Sequence, residues 1–265
     1  MRKKILIIIL FVLLTGSITF SQDETEPSIS AKACVLIDCE TGEIIYDKNR
    51  NLPLIPASTL KVLTAYIVLQ NQNLNQVTQV SSAAASQGGS TSELRAGQKV
   101  SILDLLYGLL LPSGNDAAYA LAEYTSGSAK EFVKLMNKTA RSLGMFNTVA
   151  VDPHGLSEYN RTTAEDLAIL TREAMKIPLF NQIISTQKKS IEVNNSPKLI
   201  TNHNKLLFEN RSYDGVKTGY TSAAGKTFIG SQTYNGKRLL TVVLKTTDAF
   251  KDAETLLFYG FSKYN

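Results

Sequence analysis

Tryptophan is absent from this 265-residue sequence, and cysteine and histidine occur only twice each. The two histidines are far apart and neither has a cluster of acidic residues around it, so we expect no metal site and no cofactor. Cys34 and Cys39 lie five residues apart in one predicted strand, which points their side chains to opposite faces, too far apart to bridge. We therefore predict that both are small apolar packing residues rather than a disulfide.

An apolar run long enough to span a membrane is also missing. The start, Met1-Arg2-Lys3-Lys4, precedes only ten apolar residues, 5–14, whereas a spanning helix needs about 20. A basic start, a short apolar core and small polar residues after it are typical of a secretory signal. We predict a signal peptide over residues 1–21, cleaved after Ser21 or Ser17, and hence an exported protein, in the cell envelope or secreted. A retained N-terminal anchor is the alternative.

A strong charge of one sign is lacking as well. The net charge is +5, and residues 1–21 contain three basic residues and no acidic one, so the remainder carries only +2. The lysines are scattered and no basic run is interleaved with aromatic residues. We therefore expect no nucleic-acid partner.

The pattern of residues 22–265 predicts a single domain, since no repeat and no long linker divides it. β-rich runs at 32–37 and 43–46 predict an N-terminal hairpin, and further runs at 190–193, 215–218, 227–233 and 239–245 predict strands near the other end. Asn235-Gly236 between the last two is a strong hairpin signal. A final amphipathic helix ends the chain, and strands at both ends predict one sheet assembled from both termini.

A helical pattern covers residues 58–70. After it, we predict an inserted, all-helical lobe at about residues 75–180, with helical patterns at 101–111 and 115–124. Residues 81–92 are predicted to be an irregular loop. Ser128 with Glu131 forms a capping box that opens a helix closed by Gly144. Another helix opens at residues 162–165 and is ended by Pro178, after which the pattern changes to short strands.

The stretch Pro56-Ala57-Ser58-Thr59-Leu60-Lys61 places a hydroxyl and an amine three residues apart at a predicted helix start. Residues with this spacing share a helix face, with about 5–6 Å between their Cβ atoms, so Lys61 can reach the Ser58 hydroxyl. A serine hydroxyl is a weak nucleophile until a base takes its proton, which makes the pair a candidate nucleophile and base. The helix N-terminus beside Ser58 also favours an oxyanion.

Two further motifs accompany this pair: Ser113-Gly114-Asn115 and Lys217-Thr218-Gly219 each occur once, in this order. The three motifs together are typical of penicillin-binding proteins and serine β-lactamases. Ser185 and Lys188 have the same spacing as Ser58 and Lys61, but they are not followed by the other two motifs. We therefore assign Ser185 to a loop or strand.

The chemistry of the motifs defines candidate roles. A lysine of ordinary pKa, ~10.4, cannot accept a proton at neutral pH, so Lys61 needs a pKa depressed toward ~7–8. Burial and a nearby cation would lower it, and Lys217 is the candidate cation. Ser113 would lie between the two amines and relay a proton to the leaving group. Asn115 could hydrogen-bond the substrate amide.

The third motif predicts substrate binding along an edge strand. Lys217 and Thr218 would hold a carboxylate, and Gly219 leaves room for the substrate to lie beside the strand. The backbone N–H groups of Ser58 and Tyr220 are the expected donors to the oxyanion. The predicted catalytic residues are thus Ser58, Lys61 and Ser113, and the predicted substrate-binding residues are Asn115, Lys217, Thr218, Gly219 and Tyr220.

From about residue 31 to residue 261 the chain resembles the low-molecular-mass penicillin-binding proteins that act as D-alanyl-D-alanine carboxypeptidases. The resemblance extends beyond the three motifs to the blocks Leu36-Ile37-Asp38, Thr41-Gly42-Glu43, Pro56-Ala57-Ser58, Leu105-Leu106-Tyr107-Gly108-Leu109-Leu110, Pro153-His154-Gly155-Leu156, Thr163-Ala164-Glu165-Asp166-Leu167 and Gly215-Val216-Lys217-Thr218-Gly219-Tyr220-Thr221. It implies a β-lactamase/transpeptidase-like α/β (α+β) fold: a mainly antiparallel sheet flanked by helices, with a helical subdomain and the site between the two.

The resemblance also implies an activity. Ser58 would form an acyl-enzyme with a peptidoglycan stem peptide ending in D-Ala-D-Ala, release the last D-alanine and be freed by water. β-Lactams, which mimic that dipeptide, would acylate the same serine. Many relatives carry a second, β-rich domain and a C-terminal amphipathic anchor, whereas we predict neither here. Asp152 stands where asparagine is commoner, and Thr59-Leu60 replaces the usual pair between serine and lysine.

Other residues and other functions remain as alternatives. We interpret His154 as an orienting or core histidine and His203 as a polar residue at a strand end or loop, and Ser90 is a further candidate for the cleft. A β-lactamase would need a glutamate poised over a water, for which Glu158 is the only comparable residue. A D,D-endopeptidase would differ only in the size of the leaving group, and a non-catalytic wall-binding protein is the alternative from another class.

Overall fold

The computed structural model describes residues 26–71 and 73–264. The predicted signal peptide and its two cleavage sites lie outside the described residues. The strands are β1 (Ala33–Asp38), β2 (Ile44–Lys48), β3 (Val77–Gln79), β4 (Lys99–Ser101), β5 (Lys188–Val193), β6 (Ser196–Thr201), β7 (Tyr213–Thr221), β8 (Gly225–Tyr234) and β9 (Lys237–Thr246). The helices are α1 (Lys61–Asn71), α2 (Ser82–Ala85), α3 (Ile102–Leu110), α4 (Asn115–Ser126), α5 (Ala129–Ser142), α6 (Ala164–Ala174), α7 (Pro178–Ile184), α8 (Leu206–Glu209) and α9 (Ala249–Ser262).

The main sheet is antiparallel and has the strand order β2-β1-β9-β8-β7. It joins strands from both chain ends, which confirms the predicted architecture. Asn235 and Gly236 connect β8 and β9 with φ values of 49° and 79°, as a two-residue type I′ turn requires. Strand β7 lies at the edge of this sheet, so one side of its backbone is free of a neighbouring strand.

The two faces of the main sheet pack against different helices. Alternate residues of a strand point to opposite faces. Val35 and Val242 belong to the large core that contains α1, whereas Cys34 and Val243 pack with residues of α9. The helix α1 runs through the large core, and Lys61 at its start is among the largest side chains that are fully buried.

Helix starts follow the capping signals of the sequence. Ser128 Oγ accepts a hydrogen bond from Glu131 N at 3.2 Å, and Thr163 Oγ1 accepts one from Asp166 N at 3.0 Å. Each side chain satisfies a backbone donor that the first turn of a helix leaves unpaired. These caps fix the starts of α5 and α6 at the predicted places.

The region between the N-terminal strands β1 and β2 and the C-terminal strands β7–β9 of the main sheet is mainly helical, but it is not all-helical as predicted. Strands β3 and β4 lie within residues 75–180 and form a second antiparallel sheet, in the order β3-β4-β5-β6. Strands of three residues are too short to show the alternation of apolar and polar residues by which a strand is predicted, and the strands that pair with them include distant parts of the sequence. Strand β6 was also not predicted.

Two local predictions differ from the structure in the same region. The predicted loop 81–92 contains the one-turn helix α2, capped by Ser81 Oγ, which accepts from Ala84 N at 2.9 Å. Helix α6 ends at Ala174, and Pro178 begins α7 instead of preceding strands directly. Proline suits a first helical position because the N–H that it lacks has no partner there.

Within the described ranges, no helix has both the length and the apolar character needed to cross a membrane. Nor does that part of the chain bring together three or more side chains suited to hold a metal ion. Cys34 is buried and Cys39 half-buried, and both carry free thiols.

Candidate active site

Ser58 lies in a 3-10 turn, Ala57–Leu60, directly before α1. The α-helix therefore begins at Lys61, three residues later than predicted. Ala57 has a φ of 49°, a left-handed conformation that costs a non-glycine residue on the order of 1–3 kcal/mol. Ser58 is half-buried, and it lines a cavity of about 430 Å³ beside the edge strand β7.

Lys61 is fully buried, and three polar atoms surround its amine. Its Nζ lies 2.9 Å from Ser58 Oγ, 2.6 Å from Asn115 Oδ1 and 2.9 Å from the backbone carbonyl oxygen of His154. The amide of Asn115 is held in this orientation because its Nδ2 donates to the carbonyl oxygen of Gly88 at 2.6 Å. Two of the three neighbours of Nζ can therefore only accept hydrogen bonds.

This arrangement assigns the lone pair of a neutral Lys61. A neutral amine has two N–H bonds and one lone pair. The carbonyl oxygens of Asn115 and His154 take both N–H bonds, which leaves the lone pair for the Ser58 hydroxyl at 2.9 Å. The geometry can thus transfer the serine proton to the lysine once the amine is uncharged.

The charge state of Lys61 follows from its surroundings. Burial lowers the pKa of Lys61 well below its usual value, and the amine of Lys217 lowers it further, while Asp152 and Asp116 act in the opposite direction. Burial also lowers the pKa of Lys217, from 10.5 to about 7. An ammonium taken out of water loses its hydration, so burial favours the uncharged amine.

Ser113 lies in the turn between α3 and α4, with a φ of 64°. Its Oγ is buried and has no hydrogen-bond partner within the described part of the chain, yet Ser113 lines the cavity next to Ser58. An unsatisfied buried hydroxyl costs about 1–3 kcal/mol. The structure therefore holds a polar group at the cavity wall that a bound substrate could satisfy.

Asn115 is placed differently from what the sequence suggests. Asn115 is 1% exposed and does not line the cavity, and the two ends of its amide bind Lys61 and the Gly88 carbonyl. A hydrogen bond from Asn115 to a substrate amide remains a prediction. The contact in the structure is with the candidate base.

The third motif lies on β7 at the opposite wall. Lys217 is buried, and its Nζ donates to the carbonyl oxygen of Thr218 at 2.9 Å. Thr218, Gly219 and the exposed Tyr220 line the cavity, whereas Lys217 is behind it. A Cβ added to Gly219 would lie 2.4 Å from Thr227 Oγ1 and 3.0 Å from Ser58 N. Glycine is therefore needed for β7 to approach the serine.

The loop around His154 contains a residue whose role sequence reasoning missed. Asp152 accepts hydrogen bonds from the N–H groups of His154, Gly155 and Ser157, at 3.0, 2.5 and 2.7 Å. Burial alone would raise the pKa of Asp152, but the His154 ring and these donors hold it below its usual value. This turn positions the His154 carbonyl oxygen that contacts Lys61. The sequence signal for such a turn is an aspartate, because its side chain accepts a hydrogen bond from the backbone N–H two residues later.

Of the other candidate residues, Ser90 and His203 line the cavity. His203 was interpreted only as a polar residue of a strand end or loop. Burial, with Lys217 and Lys61 nearby, lowers its pKa. Glu158 is exposed and is not among the cavity residues. Ser185 directly follows the last residue of α7 and Lys188 begins β5, so this second serine–lysine pair does not share a helix face.

Comparison with known protein families gives one match over most of the chain. Residues 20–248 match the family model described as D-alanyl-D-alanine carboxypeptidase. Curated relatives include the D-alanyl-D-alanine carboxypeptidase DacF of Bacillus subtilis, 35% identical over 91% of this chain and 64% of its own length. DacC of Escherichia coli is 34% identical over 95% of this chain and 66% of its own length. The chain thus spans slightly less than two thirds of the length of each of these two relatives.

One further relative has a different name. A D-alanyl-D-alanine endopeptidase of Escherichia coli is 33% identical over 85% of this chain and 74% of its own length. Among solved structures, a D-alanyl-D-alanine carboxypeptidase from Mycobacterium tuberculosis superposes with a TM-score of 0.85 at 33% identity, covering 89% of this chain and 92% of that one. A mutant of a Streptomyces DD-transpeptidase gives 0.86 at 31% identity, covering 89% and 100%.

Proposed function

The chain belongs to the D-alanyl-D-alanine carboxypeptidase family, and from that premise we propose that it is a serine-type D,D-carboxypeptidase. It removes the terminal D-alanine from peptidoglycan stem peptides through an acyl-enzyme on Ser58, and it works outside the cytoplasm. β-Lactams acylate the same residue. No metal or cofactor takes part in the proposed reaction.

The observation that carries this proposal is the environment of Lys61. Its Nζ lies 2.6 Å from Asn115 Oδ1, 2.9 Å from the His154 carbonyl oxygen and 2.9 Å from Ser58 Oγ. When the amine is neutral, the two carbonyl oxygens take both of its N–H bonds, and its lone pair is left for the Ser58 hydroxyl. Burial lowers the pKa of this amine. Nucleophile and base are therefore within hydrogen-bond reach, with a third group orienting the base, as covalent catalysis requires.

Acylation follows from this arrangement. Lys61 takes the proton of Ser58 while Ser58 Oγ bonds to the carbonyl carbon between the two D-alanines. The backbone N–H groups of Ser58 and Tyr220 stabilise the oxyanion of the tetrahedral intermediate. The C–N bond then breaks, and the departing amine takes a proton that passes from Lys61 through the hydroxyl of Ser113, which has no hydrogen-bond partner among the described residues.

Recognition relies on the carboxylate at the end of the substrate. Lys217 has a pKa of about 7, and a bound carboxylate favours its charged form. Thr218 beside it contributes a hydroxyl to the cavity wall. Water then attacks the acyl ester, Lys61 takes a proton from that water, and the proton returns to Ser58 as the peptide product leaves.

One experiment tests the proposal. The mature protein is incubated with a pentapeptide ending in D-Ala-D-Ala and, separately, with a fluorescent penicillin. We expect release of free D-alanine and covalent labelling, and both signals are lost in Ser58→Ala. Release of D-alanine by Ser58→Ala would overturn the proposal, as would a wild-type protein that shows neither signal.

A β-lactamase is less well supported, because no glutamate of the described residues lines the cavity. Glu158, the candidate for that role, is exposed and is not among the lining residues. Slow release of bound penicillin, over minutes or longer, separates the two functions. A D,D-endopeptidase is the stronger second candidate, since one relative is named a D-alanyl-D-alanine endopeptidase and the lining of the cavity includes Lys226 and Asp248 as well as Thr218.

A further inference from the structure

Helix α5 carries a row of basic side chains on its outer side. The row consists of Lys130, Lys134, Lys138 and Arg141, all of them exposed. Their spacing of four, four and three residues places them on one side of the helix. At ~1.5 Å per residue the row is about 17 Å long. The opposite side of α5 packs in the large core.

The charge of this row is largely uncompensated. Helix α5 has a single acidic residue, Glu131, which pairs with Lys134 at 2.7 Å, and both are exposed, so the pair stabilises little. Lys130, Lys138 and Arg141 have no ion pair within the part of the chain that the structure describes. Four cations and one acid leave +3 on this side of α5, whereas the whole chain after residue 21 carries only +2. The excess positive charge is therefore concentrated here.

The segment that follows α5 is fastened beside the basic row. Asn137 lies one turn from both Lys134 and Arg141 on the helix. Its Nδ2 donates to the carbonyl oxygen of Ala150 at 2.8 Å, and its Oδ1 accepts from Ala150 N at 2.9 Å. These two hydrogen bonds hold the segment around Ala150 against the helix, next to the cations.

This segment presents apolar side chains to solvent. Ala150 is buried, whereas its neighbours Val149 and Val151 are 50% and 43% exposed, as in a strand, where alternate residues face opposite sides. Two backbone hydrogen bonds between Val149 and Arg161, at 2.8 and 2.9 Å, hold it in place. Phe146, in the turn after α5, is 80% exposed. We call the basic row together with Phe146, Val149 and Val151 the α5 face.

Charge and apolar exposure together indicate the kind of partner. A second copy of the chain is disfavoured, because a twofold interface would place the same basic row on both sides. A hydrated polyanion would neutralise the cations but would leave the apolar side chains in water. An anionic lipid surface satisfies both, since its headgroups strengthen binding about fivefold per Lys or Arg and its interfacial region takes up apolar side chains.

We propose that the α5 face binds an anionic lipid surface, with the basic row on the headgroups and Phe146, Val149 and Val151 in the apolar part of the interface. No residue of the α5 face lines the cavity at Ser58, and the proposal does not depend on the proposed function. Binding weakens with salt, because the screening length falls from about 10 Å at ~0.1 M to about 3 Å at ~1 M.

The absence of tryptophan from the sequence provides a direct test. Phe146→Trp gives the protein a single tryptophan, on the α5 face. Phe258→Trp is the matched control on α9, because Phe258 is 79% exposed, almost the same as Phe146. Both variants are made in the mature protein, residues 22–265, so that the apolar run 5–14 cannot insert by itself.

Each variant is mixed with vesicles of equal parts phosphatidylglycerol and phosphatidylcholine, and separately with vesicles of phosphatidylcholine alone. We expect the tryptophan emission of Phe146→Trp to shift to the blue with the anionic vesicles only, and that of Phe258→Trp to stay unchanged. No shift for Phe146→Trp, an equal shift with the neutral vesicles, or an equal shift for Phe258→Trp overturns the proposal.

Co-sedimentation with the same anionic vesicles measures the part of the cations. The triple variant Lys130→Gln, Lys138→Gln and Arg141→Gln keeps good helix formers at exposed positions. At about fivefold per cation, we expect it to bind at least thirtyfold more weakly than the wild type. Undiminished binding overturns the proposal.

A matched triple variant separates the face from net charge. Lys32→Gln, Lys188→Gln and Lys251→Gln remove the same charge at exposed positions outside α5, and we expect a change of less than threefold. Equal losses in both triple variants overturn the α5 face. Tight binding of soluble polyphosphate without binding to vesicles shows a polyanion site and overturns the lipid partner.

The vesicle assays need no enzymatic activity, so they are independent of the proposed function. We expect both triple variants to keep the thermal unfolding midpoint and the penicillin labelling of the wild type, because the changed residues do not line the cavity. A wild type without penicillin labelling would fail the proposed function and leave the vesicle results valid.

Discussion

Asn115 holds the amine of Lys61 at 2.6 Å, a shorter contact than the 2.9 Å between that amine and Ser58. The same amide is fixed at its other end by the carbonyl of Gly88. Because Asn115 is neutral, it orients the amine without placing a negative charge beside it. An amide at this position therefore orients the base without the negative charge by which a carboxylate would raise the pKa of Lys61.

The first prediction concerns Asn115→Asp. A carboxylate beside Lys61 stabilises the ammonium and raises its pKa, and loss of general-base function costs about 10²–10⁴ in rate. We expect penicillin acylation at pH 7 to fall at least a hundredfold, and the acid limb of its pH profile to move to higher pH. Stopped-flow acylation between pH 5 and 10 measures both. An unchanged acid limb would contradict this role of Asn115.

The second prediction concerns Ser113→Ala. The hydroxyl of Ser113 is buried and has no partner in the described residues, so its removal relieves an unsatisfied group. We expect the free energy of unfolding to stay equal or to rise by up to about 1 kcal/mol, while D-alanine release falls at least a hundredfold. Urea denaturation and a D-alanine assay give the two values. A less stable variant with full activity would contradict the proton relay.

The third prediction concerns Lys217→Met and pH. Lys217 has a pKa of about 7 in the folded protein and ~10.4 when unfolded. The unfolded chain therefore binds more protons between these values, so this group lowers the stability of the wild type as the pH falls. The effect is complete below pH ~7 and vanishes above ~10.4.

Methionine removes this penalty and loses the hydrogen bond to Thr218. The difference between ~10.4 and about 7, at ~1.4 kcal/mol per pH unit and less about 1 kcal/mol for the hydrogen bond, predicts a gain of ~3–4 kcal/mol at pH 6.5. The gain shrinks toward zero or below at pH 10. Denaturation at both values, with the exposed Lys251→Met as control, measures it. A difference that does not depend on pH would contradict the assignment.

The fourth prediction compares two glycines. A Cβ at Gly219 meets Thr227 Oγ1 at 2.4 Å and Ser58 N at 3.0 Å, whereas a Cβ at Gly236 meets nothing within 4 Å. Gly236 has a φ of 79°, which costs alanine about 1–2 kcal/mol. We expect Gly219→Ala to lower acylation at least a hundredfold, and Gly236→Ala to lower stability without affecting acylation. Equal activities would show that β7 does not approach Ser58 so closely.

Local signals predicted most elements. The capping residues Ser128 and Thr163 and the turn Asn235-Gly236 act through contacts within a few residues, so the sequence contains their whole cause. Strands β3 and β4 were not predicted, since three residues become a strand only through partners far along the chain. Pro178 was ambiguous because proline fits both the end of one helix and the first turn of the next.

The sequence by itself determined the family, the three motifs and the spacing that lets Lys61 reach Ser58, because helix geometry and residue chemistry are local. Only the tertiary structure decided that Asn115 holds the lysine rather than lining the cavity, that Asp152 positions the His154 carbonyl, and that the cleft continues to Lys226 and Asp248. Burial, orientation and cavity shape arise from segments brought together by packing. No pattern along a single segment contains them.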